Sequence, residues 1–199
     1  MEFAYSFAGL VVGFIVGLTG IGGGALMTPI LIVVFGIPPV TAVSTDLLYA
    51  AITKGGGIFS YARKKLVEYK IVLLLLSGSL PGSLLTLHYL KGLDGLEQIE
   101  HLMNLTLGVS LVLTSIAVFF RNKIRAKALE WQDTAFAHHG RRWRPYITVV
   151  MGVVLGGLVT LSSVGAGALG TALLILLYPR LSMPAIVGTD LLHAVVLTA

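Results

Sequence analysis

Thr45-Asp46-Leu47-Leu48-Tyr49-Ala50 recurs near the other end of the chain as Thr189-Asp190-Leu191-Leu192-His193-Ala194. Each copy puts an ionisable Asp inside apolar sequence. A glycine-rich break precedes each: Gly20-Ile21-Gly22-Gly23-Gly24-Ala25-Leu26 in the first, Ser163-Val164-Gly165-Ala166-Gly167-Ala168-Leu169 in the second. The sequence is therefore read as an internal duplication. Duplicated apolar segments, each interrupted by glycine and followed by a polar cluster, are the pattern of a secondary transporter whose site lies between two repeats.

Composition points to a membrane class. The chain is 56% hydrophobic and 12% charged, about half the charged fraction of an ordinary soluble domain, with a mean hydropathy of +0.91. The absence of cysteine excludes a disulfide framework, a thiol nucleophile and a thiolate metal site, and no cofactor or metal site is expected. The N-terminal Met1-Glu2-Phe3-Ala4-Tyr5-Ser6 lacks the basic stretch of a secretory signal and runs on without a clear cleavage site, so it reads as a retained first span.

The net charge of +5 is distributed by topology rather than for nucleic acid. Of 14 Lys and Arg, four lie between Arg63 and Lys70 and seven between Arg121 and Arg144. The positive-inside rule makes those segments cytoplasmic, and the stretch from Lys91 to Glu100, with Asp94, Glu97 and Glu100, external. Trp131 and Trp143 fit the interface, and His138 and His139 belong to the polar loop.

Apolar stretches cover about 4–36, 40–61, 71–90 and 101–120, the last three near the ~20 residues a helix needs to cross a bilayer. The first would extend to about 50 Å as one helix, well past the ~30 Å hydrocarbon core. It must break, and Gly20, Gly22, Gly23 and Gly24 supply the place, with Pro29 removing a further backbone donor. The pattern restarts at 146–178, breaks between Ser162 and Gly167, and turns near Pro179-Arg180 and Pro184. The expectation is an all-α polytopic membrane protein: a first repeat at 1–120, a basic cytoplasmic loop at 121–145, and the start of a second repeat at 146–199. The final apolar run stops at Ala199, and two spans of the first repeat have no counterpart in the second. The chain thus reads as a fragment lacking roughly two spans of ~20 residues.

Non-helical backbone at membrane depth is tolerated only against protein or a water-filled cavity. Where helices restart, near Gly24 and Gly167, N–H groups at a positive dipole end suit anions, and Thr19 and Ser163 add hydroxyls. Close helix packing is the alternative use of such glycines. An Asp at a helix centre costs about 2.5–3.5 kcal/mol on insertion scales, which marks Asp46 and Asp190 as candidates for ion coupling, with N-capping as the alternative. Lys54 follows Asp46 by two turns on the same helix face; it either faces the cavity or snorkels to the interface. His193 shares a face with Thr189 and titrates near working pH, against a plain packing role. Gly20-x-Gly22-x-x-Ala25 imitates a dinucleotide fingerprint, but the surrounding runs are of membrane length rather than alternating strands and helices.

Gly13-x-x-x-Gly17-x-x-Gly20-x-Gly22-Gly23-Gly24-Ala25-Leu26-x-x-Pro29, followed by Ala42-x-x-Thr45-Asp46-Leu47, resembles the TauE/SafE family of membrane proteins, often called sulfite exporters. The resemblance covers nearly the whole chain outside the loops. It implies an all-helical transporter of two related halves that moves sulfite, sulfonates or related organosulfur anions across the bacterial inner membrane. The matched positions are Gly20, Gly22, Gly23, Gly24 and Thr45 in the first half and Gly165, Gly167 and Thr189 in the second, where Ala166 and Ala168 replace glycines of the commoner pattern.

Secondary transport of small anions is the leading reading. Thr19, Gly20, Gly22, Gly23, Gly24, Thr45, Lys54, Ser163, Gly165, Gly167 and Thr189 surround the substrate, and Asp46, Asp190 and His193 take part in ion coupling. A passive channel or a structural membrane subunit is the alternative. An enzyme is not expected, since no spacing pairs Ser163 with His193 as nucleophile and base, and no Walker-type ATP motif is present. The expected partners are a small anion and the lipid bilayer, with no nucleic acid; the sequence is compatible with a homo-oligomer. Cysteine labelling tests the orientation in a chain with no native thiol: Asp94→Cys should react from the periplasmic side and Lys64→Cys from the cytoplasmic side.

Overall fold

A computed structural model describes residues 2–19, 23–93, 95–133, 137–165 and 167–199. Among these there is no β-strand. Helix α1 (Glu2–Thr19) leads to α2 (Gly23–Val34), which opens as a 3-10 turn at Gly23–Ala25 and widens to a π-helix at Ile30–Val34. Pro29 stands at that change, where its missing N–H loosens the ladder. After a turn at Gly36 come α3 (Pro39–Arg63), α4 (Tyr69–Lys91), α5 (Leu96–Phe119), α6 (Arg121–Asp133), α7 (Ala137–Ser162), α8 (Ala168–Leu177) and α9 (Met183–Thr198).

In the first apolar run the described residues form α1, up to Thr19, and α2, from Gly23; the expected break at Gly20 and Gly22 lies outside the described residues. Among the described residues three stretches are long and apolar enough to cross a bilayer: α4, α5 and the Trp143–Ser162 part of α7. Helix α3 has the length, 25 residues, but carries Asp46 and Lys54 within it. The basic segment 121–145 was expected as a loop and is largely helical instead. Its Arg, Lys, Ala and Leu residues are good helix formers, and Ala128 is buried while the Arg125 guanidinium donates to the Leu181 carbonyl at 3.1 Å. That bond ties α6 to the turn between α8 and α9. His138 and His139 carry side chains outside the described residues, and Trp131 and Trp143 are exposed.

The frame of the bundle is the contact between α4 and α7. A Cβ added at Gly78 would strike the Val149 carbonyl, one at Gly82 the Val153 carbonyl, and one at Gly156 the Ser79 carbonyl. Gly78-x-x-x-Gly82 on one helix and Gly152-x-x-x-Gly156 on the other let the two backbones touch, the small-residue solution to packing in lipid. Residue numbers rise together along this contact, so the helices are parallel. The Lys64–Glu68 turn and the basic start of α7 therefore lie at one end of the bundle, and Glu97 and Glu100 at the other.

Helix α8 folds back from α7 toward the basic end, where Tyr178 shares a hydrogen bond of 2.9 Å with Thr148. Leu75, Leu174, Ile175 and Ile186 close the core between these helices. Helix α9 runs antiparallel to α3: Gly188 abuts Leu66 and Tyr61 at one end, and Leu47 packs on the Val159 and Ala194 cluster at the other. Helices α1, α2 and α3 join through Val12, Met27, Leu31 and Ala42.

Glycine substitutions should separate contact from helix propensity. Gly78→Ala or Gly156→Ala should lower stability by about 1–3 kcal/mol through forced separation of the helices. Gly55→Ala, where an added Cβ meets nothing within 4 Å, should raise it by about 1 kcal/mol. Thermal unfolding in detergent measures both.

Candidate functional site

The two glycine breaks meet. A Cβ at Gly24 would strike the Ser163 carbonyl, so the start of α2 passes backbone-to-backbone over the end of α7. Around this crossing stand Asp46, Tyr49 and Lys54 from α3, Gly167 and Thr171 at the start of α8, and Asp190 and His193 from α9. Gly165 and Gly167, with φ of 146° and 151°, turn the chain through a region that L side chains rarely adopt.

Asp46 is fully buried and accepts a 2.7 Å hydrogen bond from the Thr28 hydroxyl. Asp190, 4% exposed, has the corresponding bond from Thr171 at 3.3 Å. Neither is a helix cap: α3 is capped by Pro38, α9 by the Ser182 hydroxyl, and both carboxylates lie well inside their helices. Neither Oδ1 completes a hydrogen bond of good geometry, and the Ser163 hydroxyl lies against the Asp46 carboxylate. The Lys54 ammonium is within electrostatic reach of both carboxylates, Asp190 and Asp46.

A cavity of about 300 Å³ opens between the breaks, lined by Gly23, Tyr49, Lys54, Gly167, Thr171 and Asp190 among others. Lys54 is partly buried there. His193, 1% exposed, shares a 2.9 Å hydrogen bond with Ser79 through Nε2, and its Nδ1 has no such partner. Among the described residues no group of acidic or His side chains has a metal-binding arrangement.

The remaining expected residues are placed elsewhere. Thr45 is exposed and donates to the Thr41 carbonyl at 2.7 Å. Thr189 is buried, donates to the Ala185 carbonyl and accepts from the Glu68 N–H at 3.0 Å. It fastens α9 to the α3–α4 turn rather than lining the cavity. The Thr19 side chain, Gly20 and Gly22 lie outside the described residues.

Residues 5–199 match the family described as sulfite exporter TauE/SafE. The chain belongs to the TauE/SafE family. Among curated relatives, "Probable membrane transporter protein YjnA" of Bacillus subtilis (strain 168) is 39% identical over 194 residues, which cover 95% of this chain and 73% of that protein. "Probable membrane transporter protein YunE" of the same organism is 26% identical over 184 residues, covering 85% of this chain and 66% of its own length. No solved structure matches the chain significantly. As a TauE/SafE protein it is a membrane transporter.

Thr28, Thr171, Tyr49 and Ser79 were not among the expected site residues. The threonines had a signal: Gly24-Ala25-Leu26-Met27-Thr28 repeats as Gly167-Ala168-Leu169-Gly170-Thr171, one residue pair beyond the segment on which the break was recognised. Ser79 had none, being one small polar residue in an apolar helix. Thr28→Val should cost about 1–3 kcal/mol by leaving Asp46 Oδ2 unbonded, whereas Thr45→Val, on an exposed face, should stay within about 0.5 kcal/mol of the parent. Thermal unfolding of the two variants side by side checks the assignment.

Proposed function

We propose that this TauE/SafE protein is a secondary transporter that moves small anions of the sulfite, sulfonate or related organosulfur class across the bacterial inner membrane, which it crosses several times. The observation that carries the reading is Lys54 in the cavity beside Gly167, at the start of α8. An ammonium and the positive end of a helix dipole on one cavity favour a bound anion, and Tyr49 and Thr171 add hydroxyls for orientation. Gly23 brings the first break to the same wall.

In this reading the two signature-bearing halves are inverted repeats, because α3 and α9 carry the same Thr-Asp-Leu-Leu sequence in opposite directions. Such repeats rock against each other about a site between them. Asp46, Asp190 and His193 take part in ion coupling. A carboxylate–lysine group inside an apolar bundle supports coupling, since ionisable residues in such positions usually belong to an ion path. Gly24, Gly165 and Ser163 hold the crossing that shapes the cavity. Thr189 serves by fixing α9, and Thr45 lies outside the anion's reach.

Flux of radiolabelled sulfite into proteoliposomes tests the proposal. Lys54→Gln should lower it by at least about tenfold, the equivalent of roughly 1.4 kcal/mol, with insertion intact. Arg63→Gln, at the exposed end of α3, should leave it nearly unchanged. Equal flux in both variants and the parent would remove Lys54 from the anion path, and flux indifferent to every imposed ion gradient would indicate a passive channel.

A further inference from the structure

The two buried carboxylates have different surroundings. Asp190 has Lys54 as a counter-charge and a Thr171 hydroxyl. Asp46 is within reach of the same ammonium, and its immediate neighbours are neutral hydroxyls: Thr28 donates to Oδ2 and the Ser163 hydroxyl interacts with the carboxylate. Two carboxylates thus share one lysine, so ionising both leaves one negative charge in excess. His193, the other titratable group of the cluster, lies one turn beyond Asp190 and is bonded to Ser79.

At this point neither Asp46 Oδ1 nor Ser163 Oγ completes a hydrogen bond of good geometry, although the Ser163 hydroxyl lies close enough to the carboxylate to interact with it. Asp46 is 0% exposed and Ser163 4%. Buried oxygens left unbonded in an apolar bundle are costly unless something else coordinates them. Ser163 also immediately follows the last residue of α7, Ser162. The carbonyl end of a helix carries the negative dipole end, where a carboxylate is unfavourable and a cation favourable. Ser163 adopts φ 57°, the left-handed region in which glycine is usual. A serine kept in that conformation directs a hydroxyl where glycine would have none. The glycines opposite complete the arrangement: an added Cβ would lie 3.6 Å from Asp46 Oδ1 at Gly23 and 3.1 Å from Ser163 Oγ at Gly24.

We propose that Asp46 Oδ1 and Ser163 Oγ bind a monovalent alkali cation, sodium in the first instance, at the C-terminal end of α7, beside the anion cavity of Lys54 and Gly167. One carboxylate with neutral oxygens matches a single positive charge, and backbone carbonyls freed at the breaks suit a hard cation as further ligands. The cation neutralises the excess charge that the shared lysine leaves. Its purpose, coupling anion movement to a cation gradient, rests on the transporter reading; its ligands do not. The dipole ends at one crossing then sort the ions, cation at the end of α7 and anion at the start of α8.

The test is thermal unfolding of the purified protein in lipid nanodiscs at fixed pH and ionic strength, with sodium chloride replacing choline chloride. Stabilisation by a ligand of the folded state rises with its concentration over its dissociation constant. The parent should show a saturable sodium effect. Asp46→Asn should abolish it, and Ser163→Ala should weaken the apparent sodium affinity by about tenfold or more. Ser77→Ala, an exposed hydroxyl on α4, should behave as the parent. If Asp46→Asn does not fold, Ser163→Ala decides. No difference between sodium and choline in the parent, or parental sodium affinity in Ser163→Ala, overturns the site. Sulfite added to the same samples reports the anion reading separately, through stabilisation lost in Lys54→Gln. A sulfite response without a sodium response overturns the cation site and leaves the anion reading standing. A sodium response with the expected variant losses but without a sulfite response supports the cation site and counts against the anion reading.

Discussion

The approach of Gly24 to the Ser163 carbonyl, with no side chain between the two backbones, is the constraint on which the polar interior depends. The two ends could not come together if position 24 carried a Cβ, because it would strike the Ser163 carbonyl. Once they touch, Thr28 reaches Asp46, Gly23 and Gly167 face a common cavity, and α3 and α9 can each present an acid to it. The backbone groups released at the breaks are thereby enclosed by protein, the condition under which irregular chain is tolerated within a membrane protein.

Around that crossing two acid–hydroxyl pairs are alike in plan and unlike in charge. Each has an Asp on a long helix and a Thr on a short one. Lys54 has no counterpart: the position one residue after the second signature's second turn is Thr198, whose hydroxyl donates to the Ala194 carbonyl at 2.9 Å. A single ammonium therefore serves two acids, and the difference between the halves lies in electrostatics more than in shape. Sequence likeness alone would suggest interchangeable sites.

The parts of the fold legible from sequence were those written locally. Apolar runs of membrane length located α4, α5 and the apolar part of α7, and serial glycine located the ends of α1 and α7. The Asp signatures pointed to α3 and α9. Segment 121–145 was misjudged because charge density resembles a solvated loop, while the contacts that hold α6, through Ile124, Arg125 and Ala128, depend on α8 and the turn after it. The α4–α7 contact is non-local in the same way. Glycines spaced four apart occur on both helices, but which helix each faces depends on the tertiary arrangement. Thr45 shows the opposite error: it belongs to a repeated motif, yet its position on the outer face of α3 gives it only a bond to its own helix.

Helix α3 joins two differently anchored regions across Gly55-Gly56-Gly57. Before the glycines it is held at the crossing through Asp46 and Thr28; after them its end is held against α9, where Gly188 abuts Tyr61 and Leu66 and Thr189 grips Glu68. Gly55, Gly56 and Gly57 themselves have no neighbour within reach of an added side-chain carbon. The helix is thus a beam clamped at both ends and thinnest in between, with Lys54 mounted next to the thin section. Bending concentrates where stiffness is lowest, so a small tilt of α9 would be taken up there and would swing the ammonium rather than shear the crossing. The same clamps would turn a displacement at the basic surface of the protein into rotation of one charge at its centre.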